Sequence, residues 1–461
     1  MKPIAGEAKG APQKWDVSLI IEKRKSNRFA INLILWTFLI MILEGFDYTV
    51  ISYAAPVLIK QWQVEESTFG AIFGAGTFGL MVGGLIFGFL GDRLGRKKAL
   101  ICSILLASLF TLASSWASSP TGLMYMRFLA CIGLGGTVPL AIVHVNEYAP
   151  LGSRGKWVSI MFTGFPVGHA LGGLIAAWLI PAFGWQSIFL VGGIAPLLLI
   201  IGLLFMLPES LRFLVLKNSK RSKIMKLVSS LKPDLQIRPD AEIVLEEETK
   251  SMNFSPRLLF QGSLRMLTPL IWILYILSSF VIYFLNSWLP HLFVSSGLSL
   301  ENASVATSMY QLAGIVCGFV VGWLFDKRGM LACTIFPGAA CLVVALLGYP
   351  MPVMFLISLV SAAGFFVIGT QMVLTVTTPN FYPTSYRSKA NGMAMSIAKI
   401  GSISGPIVGG ILLSSNLSIR QLFFLNSAAI ALGAILMFTI ALLYRRHFKA
   451  GKEVTSDQNV A

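Results

Sequence analysis

Long apolar stretches separated by short polar segments recur along the whole chain. They fall near residues 29–55, 68–90, 99–117, 121–146, 157–180 and 186–207, and again near 268–293, 303–325, 331–349, 351–376, 390–413 and 421–444. A run of about 20 apolar residues at 1.5 Å rise spans the hydrocarbon core of a bilayer. Backbone in lipid must satisfy its own hydrogen bonds, so each run is read as a helix. The pattern predicts an all-α polytopic membrane protein with twelve transmembrane helices and both ends of the chain on one side.

Composition agrees with this reading, and charge orients it. Only 12% of the residues are charged and 55% are hydrophobic, whereas a soluble domain carries about 25% charged residues. Of the 36 Lys and Arg residues, 32 fall in the two tails, the central polar stretch and alternate loops, all on one face. By the positive-inside rule that face is cytoplasmic. The net charge of +16 is then a topology signal rather than a nucleic-acid footprint. The basic N-terminal tail leads into an apolar run with no small-residue cleavage site, so that run is read as the first span, not a signal peptide. The expected division is a cytoplasmic tail (1–28), a six-helix bundle (29–207), a cytoplasmic linker (208–267), a second six-helix bundle (268–445) and a cytoplasmic tail (446–461), in the cell (inner) membrane. Within the linker, 218–251 is expected to form short surface helices, with Glu246-Glu-Glu248 near its end. Cys102, Cys131, Cys317, Cys333 and Cys341 all lie in apolar spans, an odd, buried set that argues against disulfides or a metal site.

The two halves echo each other. Gly88-Phe-Leu-Gly-Asp92-Arg-Leu-Gly95 is matched 234 residues on by Gly322-Trp-Leu-Phe-Asp326-Lys-Arg-Gly329. The glycines Gly164, Gly168, Gly172 and Gly173 are matched 237 residues on by Gly401, Gly405, Gly409 and Gly410. Tyr148-x-Pro150-x3-Arg154 recurs loosely as Tyr382-Pro383-x3-Arg387. Three echoes at nearly one offset point to duplication, and two parallel six-helix repeats are an arrangement that rocks around a site at the membrane midplane.

Gly91-Asp-Arg-Leu-Gly-Arg-Lys-Lys98, between the second and third spans, resembles the signature loop of the major facilitator superfamily. The likeness then narrows. Span 1 reads Glu44-Gly-Phe-Asp47 and continues to Pro56, span 4 contains Arg127-Phe-Leu and Gly133-Leu-Gly-Gly136, and Glu147-Tyr-Ala-Pro150 follows. Span 7 ends in Ser287-Trp-Leu-Pro290, and span 10 leads into Tyr382-Pro-Thr-Ser-Tyr-Arg387. Together these are similar to the aromatic acid:proton symporter family along both halves. The resemblance implies the major facilitator fold, with no cofactor beyond the proton gradient and a monomer in the bilayer. It further implies import of an organic carboxylate, above all a hydroxybenzoate-type aromatic acid, by proton symport with alternating access. Two positions depart from the family pattern: Glu44 stands for the usual aspartate, and Lys399 stands where an arginine is expected. Lysine lacks the planar fork that grips a carboxylate bidentately.

Glu44, Asp47, Arg127 and Lys399 lie inside spans, where each charge costs roughly 3 kcal/mol at a helix centre. Glu44 and Asp47 are three apart and share a helical face. Taking the midpoints of spans 1 and 4 near residues 42 and 133, rise per residue puts Asp47 about 7 Å and Arg127 roughly 9 Å outward of centre. Opposite charges at comparable depth predict a pair. An organic anion entering a low-dielectric cavity needs a cation to replace its hydration, and Arg127 and Lys399 are the candidates. Two nearby carboxylates do not readily both ionise, so one takes a proton. Asp47 is read as the proton-coupling group with Glu44 modulating it; a static ion pair that fixes packing is the plainer alternative.

His169, near the middle of span 5, is either a contact for substrate or proton, or a packing histidine bonded to a neighbour. Asn286, Gln311 and Tyr310 are the candidate polar contacts for an aromatic substrate, with Phe46, Tyr48, Tyr53 and Tyr283 as flat apolar partners. For gating, Asp92 and Asp326 can accept hydrogen bonds from helix N-termini across the bundle interface. Arg93, Arg96, Arg154 and Arg387 can pair with carboxylates such as Glu147 in one state only. The main rival is a proton-coupled drug or metabolite exporter of the same superfamily. It is weakened by His169, which sits where the span 5 run of such exporters has proline. A non-aromatic acid such as muconate, or a uniported neutral metabolite, are further alternatives. An enzyme is not expected, because no Ser/His/Asp set, metal-ligand cluster or phosphate loop stands in the chain.

Overall fold

A computed structural model describes residues 14–22, 27–217, 219–231, 242–244, 255–262, 264–383, 385–415 and 417–457. Six helices build the first half: α1 (Asn27–Trp62), α2 (Glu66–Leu94), α3 (Arg96–Ser114), α4 (Pro120–Tyr148), α5 (Leu151–Phe183, interrupted at Thr163) and α6 (Gln186–Met206). Six build the second: α7 (Leu264–Ser295), α8 (Leu300–Cys333), α9 (Ile335–Leu346), α10 (Val353–Thr377), α11 (Arg387–Ser414) and α12 (Ile419–Asp457). Among the described residues, eleven of them are long and apolar enough to cross a membrane, and α9 is the exception. The span expected at 331–349 is shortened because the backbone leaves the helix at Gly329 (φ 72°) and turns again at Thr334. The first break falls at the polar Asp326-Lys-Arg-Gly329 loop; the second lies inside an apolar run, where hydropathy gives no sign of it.

Packing repeats the sequence echo. In the first half α1 packs on α5, α2 on α4 and α3 on α6; in the second, α7 packs on α11, α8 on α10 and α9 on α12. Even the arginines correspond: Arg154 Nε donates to the Ala149 carbonyl (3.4 Å) and Arg387 Nε to the Tyr382 carbonyl (3.3 Å), each reaching back five residues. The matched glycines explain the closest pairs. A Cβ on Gly168 would overlap the Ile42 carbonyl of α1, and one on Gly401 would overlap the Ile276 carbonyl of α7. With few polar contacts to drive association in lipid, such close approach is the main source of helix adhesion. Gly168→Val is therefore expected to destabilise the fold by at least about 1–3 kcal/mol, the usual cost of overpacking. A thermal-shift assay in detergent checks this against Gly338→Val, where a Cβ meets no described atom within 4 Å.

The two bundles meet through α2–α11, α5–α8 and α1–α7. We call the face where α1 begins and α12 ends proximal, and the opposite face distal. Contacts between bundles concentrate in the distal half: Gly70 and Gly74 against Pro406, Ile407 and Gly410, Gly173 against Ser304 and Ser308, and the Ser67 amide donating to Ser414 Oγ (2.9 Å). Trp288 adds to this seal, donating to the Pro406 carbonyl (2.9 Å) and meeting the Phe73 ring edge-on. On the same four helices nearer the proximal face, a Cβ on Gly88, Gly155, Gly322 or Gly392 would meet nothing within 4 Å among the described residues. The bundles are closed distally and parted proximally.

The polar segments are more ordered than a linker and a tail. Lys14–Asp16 forms a parallel strand pair with Glu242–Val244, and a short helix Val17–Glu22 follows the first strand. Val17, Ile20 and Ile21 are buried in one core with Ile224, Val228 and Leu231 of the helix Arg221–Leu231. Glu22 accepts from the Leu151 amide (2.9 Å), tying this proximal cap to the start of α5. Most of the 1–28 tail, the end of the C-terminal tail and Glu246-Glu-Glu248 lie outside the described residues. All five cysteines are free thiols; contrary to the expectation of a wholly buried set, Cys102 is exposed on its bundle surface and Cys341 is only half-buried.

Candidate functional site

The expected pair between α1 and α4 forms. Arg127 Nη1 donates to Asp47 Oδ1 at 2.9 Å and to Thr111 Oγ1 at 3.1 Å, while Nη2 donates to the Asp47 carbonyl at 3.0 Å. Thr111 Oγ1 in turn donates to Asp47 Oδ2 at 2.6 Å. The Phe189 ring lies 5.8 Å from the guanidinium. Both charged residues are almost fully enclosed, at 2% and 1% exposure. α1, α3 and α4 thus converge on one charge-assisted network, the strong class of hydrogen bond in a dry site. Arg127 Nε has no nitrogen or oxygen partner, and the weak Cys131 thiol is the neighbour that the guanidinium meets on that side.

Arg127 also lines a cavity with Tyr48, Ser52, Phe73, Thr77 and Cys131, and Ser287 of α7 closes that cavity from the other bundle. Asp47 and Glu44 face the other way. They border a small void inside the first bundle with Ile104, Ser108, Leu134 and Pro196, and Thr137 is the hydrogen-bonding neighbour of Glu44. The guanidinium therefore stands between Asp47 and the space shared by the bundles. Rotation about α1 decides this, and spacing alone could not.

The remaining residues divide. His169 is 2% exposed and stacks on Tyr48 (5.1 Å, 21° between planes) and against Phe165 (4.9 Å). Neither of its ring nitrogens has a partner, so the expectation of a packing histidine bonded to a neighbour does not hold. Tyr48 also meets Tyr283 of α7 edge-on at 6.1 Å, joining the bundles at this level. Gln311 Nε2 donates to Asn286 Oδ1 at 2.8 Å, linking α8 and α7. Tyr310 stands apart: its backbone packs on Gly364 of α10 and its ring is buried in the core at 1% exposure. Lys399 is half-buried, one turn proximal to Ile403 on the face of α11 that meets α2.

Of the gating set, Arg96 Nε donates to Glu147 Oε1 (2.9 Å) and Arg96 Nη2 pairs with Asp92 Oδ1 (3.1 Å), all within the first bundle. Arg93 lies 4.2 Å over the Phe89 ring, and Asp326 is exposed. Among the described residues nothing in this set bridges the bundles, as expected if the proximal half is open. One bridging contact escaped the sequence reading: His291 Nε2 lies 3.5 Å from Glu66 Oε1, between α7 and the start of α2. Both residues sit at span ends, where a polar side chain is unremarkable. Only their facing each other gives them meaning. Among the described residues, no three His, Cys, Asp or Glu side chains gather as a metal site would require.

A model of the Major Facilitator Superfamily matches residues 37–381 and 271–459. The chain belongs to that family. A gallate transporter of Pseudomonas putida is 35% identical over 413 residues, 89% of this chain and 91% of that one. A 4-hydroxybenzoate transporter of Acinetobacter baylyi is 33% identical over 437 residues, 93% of this chain and 94% of that one. Within the superfamily the chain thus groups with transporters of aromatic acids, and it is a transporter rather than an enzyme. A solved bacterial homologue of the human lysosomal transporter Spinster, inward-facing and occupied, superposes with TM-score 0.70 at 16% identity, covering 92% of this chain and 99% of that one. That likeness establishes the fold alone.

Proposed function

We propose that this protein imports an aromatic carboxylate with a proton, exposing one central site alternately to the two sides of the membrane. The observation that carries the reading is Arg127: a buried guanidinium, neutralised by Asp47, whose Nε side meets nothing stronger than the Cys131 thiol beside a cavity that both bundles line. A carboxylate is the anion that such a donor edge fits, and low dielectric strengthens the contact. Gallate and 4-hydroxybenzoate, carried by the relatives named above, are aromatic carboxylates, which favours a ring over muconate or a neutral metabolite. When the substrate anion competes for Arg127, Asp47 loses its counter-charge and takes up a proton, and Glu44 beside it tunes that exchange. Loaded with anion and proton together, the carrier moves no net charge. Lys399, on the α2-facing side of α11, supplies a second cation from the opposite bundle.

The proximal face is cytoplasmic in this reading, the membrane is the inner membrane, and the protein works as a monomer with bundles at 29–207 and 268–445. Asp92, Arg93, Arg96, Glu147, Arg154, Asp326 and Arg387 exchange partners as the proximal side closes. Uptake of a radiolabelled panel (hydroxybenzoates, cinnamates, muconate) with and without an uncoupler tests the proposal. Hydroxybenzoate should accumulate, and the uncoupler should abolish that accumulation. Accumulation that survives collapse of the proton gradient sinks the symport, and accumulation of muconate in place of aromatic acids sinks the substrate class.

A further inference from the structure

His169 and the Asn286–Gln311 amide pair are polar groups in an otherwise aromatic layer, and the ion-pair chemistry uses none of them. Gln311 follows Ser308 by three residues and Ser304 by seven, which puts all three on one face of α8. That face meets α5: Ser308 Oγ donates to the Ala170 carbonyl at 2.9 Å, and Ser304 borders Gly173. His169 immediately precedes Ala170. His169 and Gln311 therefore flank a single contact between the bundles, at the level where Tyr48 meets Tyr283.

Their hydrogen-bonding capacity is unspent. A neutral imidazole offers one donor and one acceptor, and neither ring nitrogen of His169 has a partner although the residue is 2% exposed. The Asn286–Gln311 bond uses one of the four amide N–H groups and one of the two amide oxygens, so donors and an acceptor remain whichever way the amides are oriented. Buried polar groups are satisfied in most native structures, so the two bare ring nitrogens of His169, at a contact between the bundles and near an amide pair with donors and an acceptor to spare, point to a ligand that completes them. Tyr48 and Phe165 pack on His169 and offer flat walls to a ring. A phenolic hydroxyl both donates and accepts, which matches the groups left free.

We propose that His169 and the Asn286–Gln311 pair form a subsite that reads a ring hydroxyl on the substrate, so that the protein prefers hydroxylated over unsubstituted aromatic carboxylates. This rests on the aromatic-carboxylate reading above. Gln311→Met and His169→Phe keep the shape of their side chains and remove the hydrogen bonds. In each, the ratio of 4-hydroxybenzoate uptake to benzoate uptake at low concentration is expected to fall about three- to tenfold, the range for losing one hydrogen bond. Membrane abundance is read by blotting, and Asn286→Ser replaces either variant that does not reach the membrane. An unchanged ratio, or an equal loss of both acids in well-expressed variants, overturns the subsite. Failure of the wild-type protein to carry either acid overturns the aromatic-carboxylate reading itself.

Discussion

Asp47→Asn is expected to abolish proton-driven accumulation of substrate while the protein still reaches the membrane. The change preserves shape but removes the negative charge that faces Arg127 at 2.9 Å and accepts from Thr111 at 2.6 Å. A buried charge stripped of its partner costs about 3–5 kcal/mol, and an amide cannot exchange the proton that coupling requires. Accumulation of radiolabelled 4-hydroxybenzoate should therefore drop to the level of cells without the protein. Wild-type accumulation by Asp47→Asn would reduce that residue to a packing role. The double variant Asp47→Asn/Arg127→Gln separates the two roles further. Removing both charges relieves the packing cost, so thermal stability in detergent should rise above that of the single variant, yet accumulation should not return. Restored accumulation in the double variant would mean that the pair only holds helices together.

Arg127→Ala should be as severe, and Arg127→Lys nearly so. Truncating one member of a buried, hydrogen-bonded charge pair typically costs about 2–5 kcal/mol, a loss of at least ~30-fold in uptake at low substrate. Lysine keeps the charge but not the fork that bonds the Asp47 carboxylate, the Asp47 carbonyl and Thr111 together. Initial-rate uptake across a range of substrate concentrations checks the assignment. A wild-type half-saturation constant in well-expressed Arg127→Lys would remove Arg127 from substrate binding.

The Asp47–Arg127 pair was legible because depth in a membrane is a linear function of residue number, and two opposite charges at one depth have few other partners. The correspondence of Gly164–Gly173 with Gly401–Gly410 was legible for a similar reason: close helix approach needs glycine, and a repeated pattern of it marks a repeated packing. Tyr310 and Gln311 show where this stops. They are adjacent in the chain and equally apolar in context, yet the Tyr310 backbone packs against α10 while Gln311 faces the bundle interface. The proximal cap escaped for a different reason, since its strand pairing joins segments more than two hundred residues apart. The shortening of α9 escaped because the turn at Thr334 lies inside an apolar run and leaves hydropathy uninterrupted.

By itself, the amino-acid sequence determined the membrane class, the count of helices, their duplication and the few charges that lipid would not tolerate. These follow from transfer free energy, which acts on each segment separately. The tertiary structure alone decided azimuth. It turned Glu44 and Asp47 into the first bundle and aimed Arg127 at the shared cavity. It left His169 without a partner, set His291 against Glu66, and opened the proximal half while closing the distal one. In a helix bundle every inward face is apolar and buried, so hydropathy cannot tell a face packed within its own bundle from one that meets the other bundle. Only the packing of one helix on the next makes that distinction.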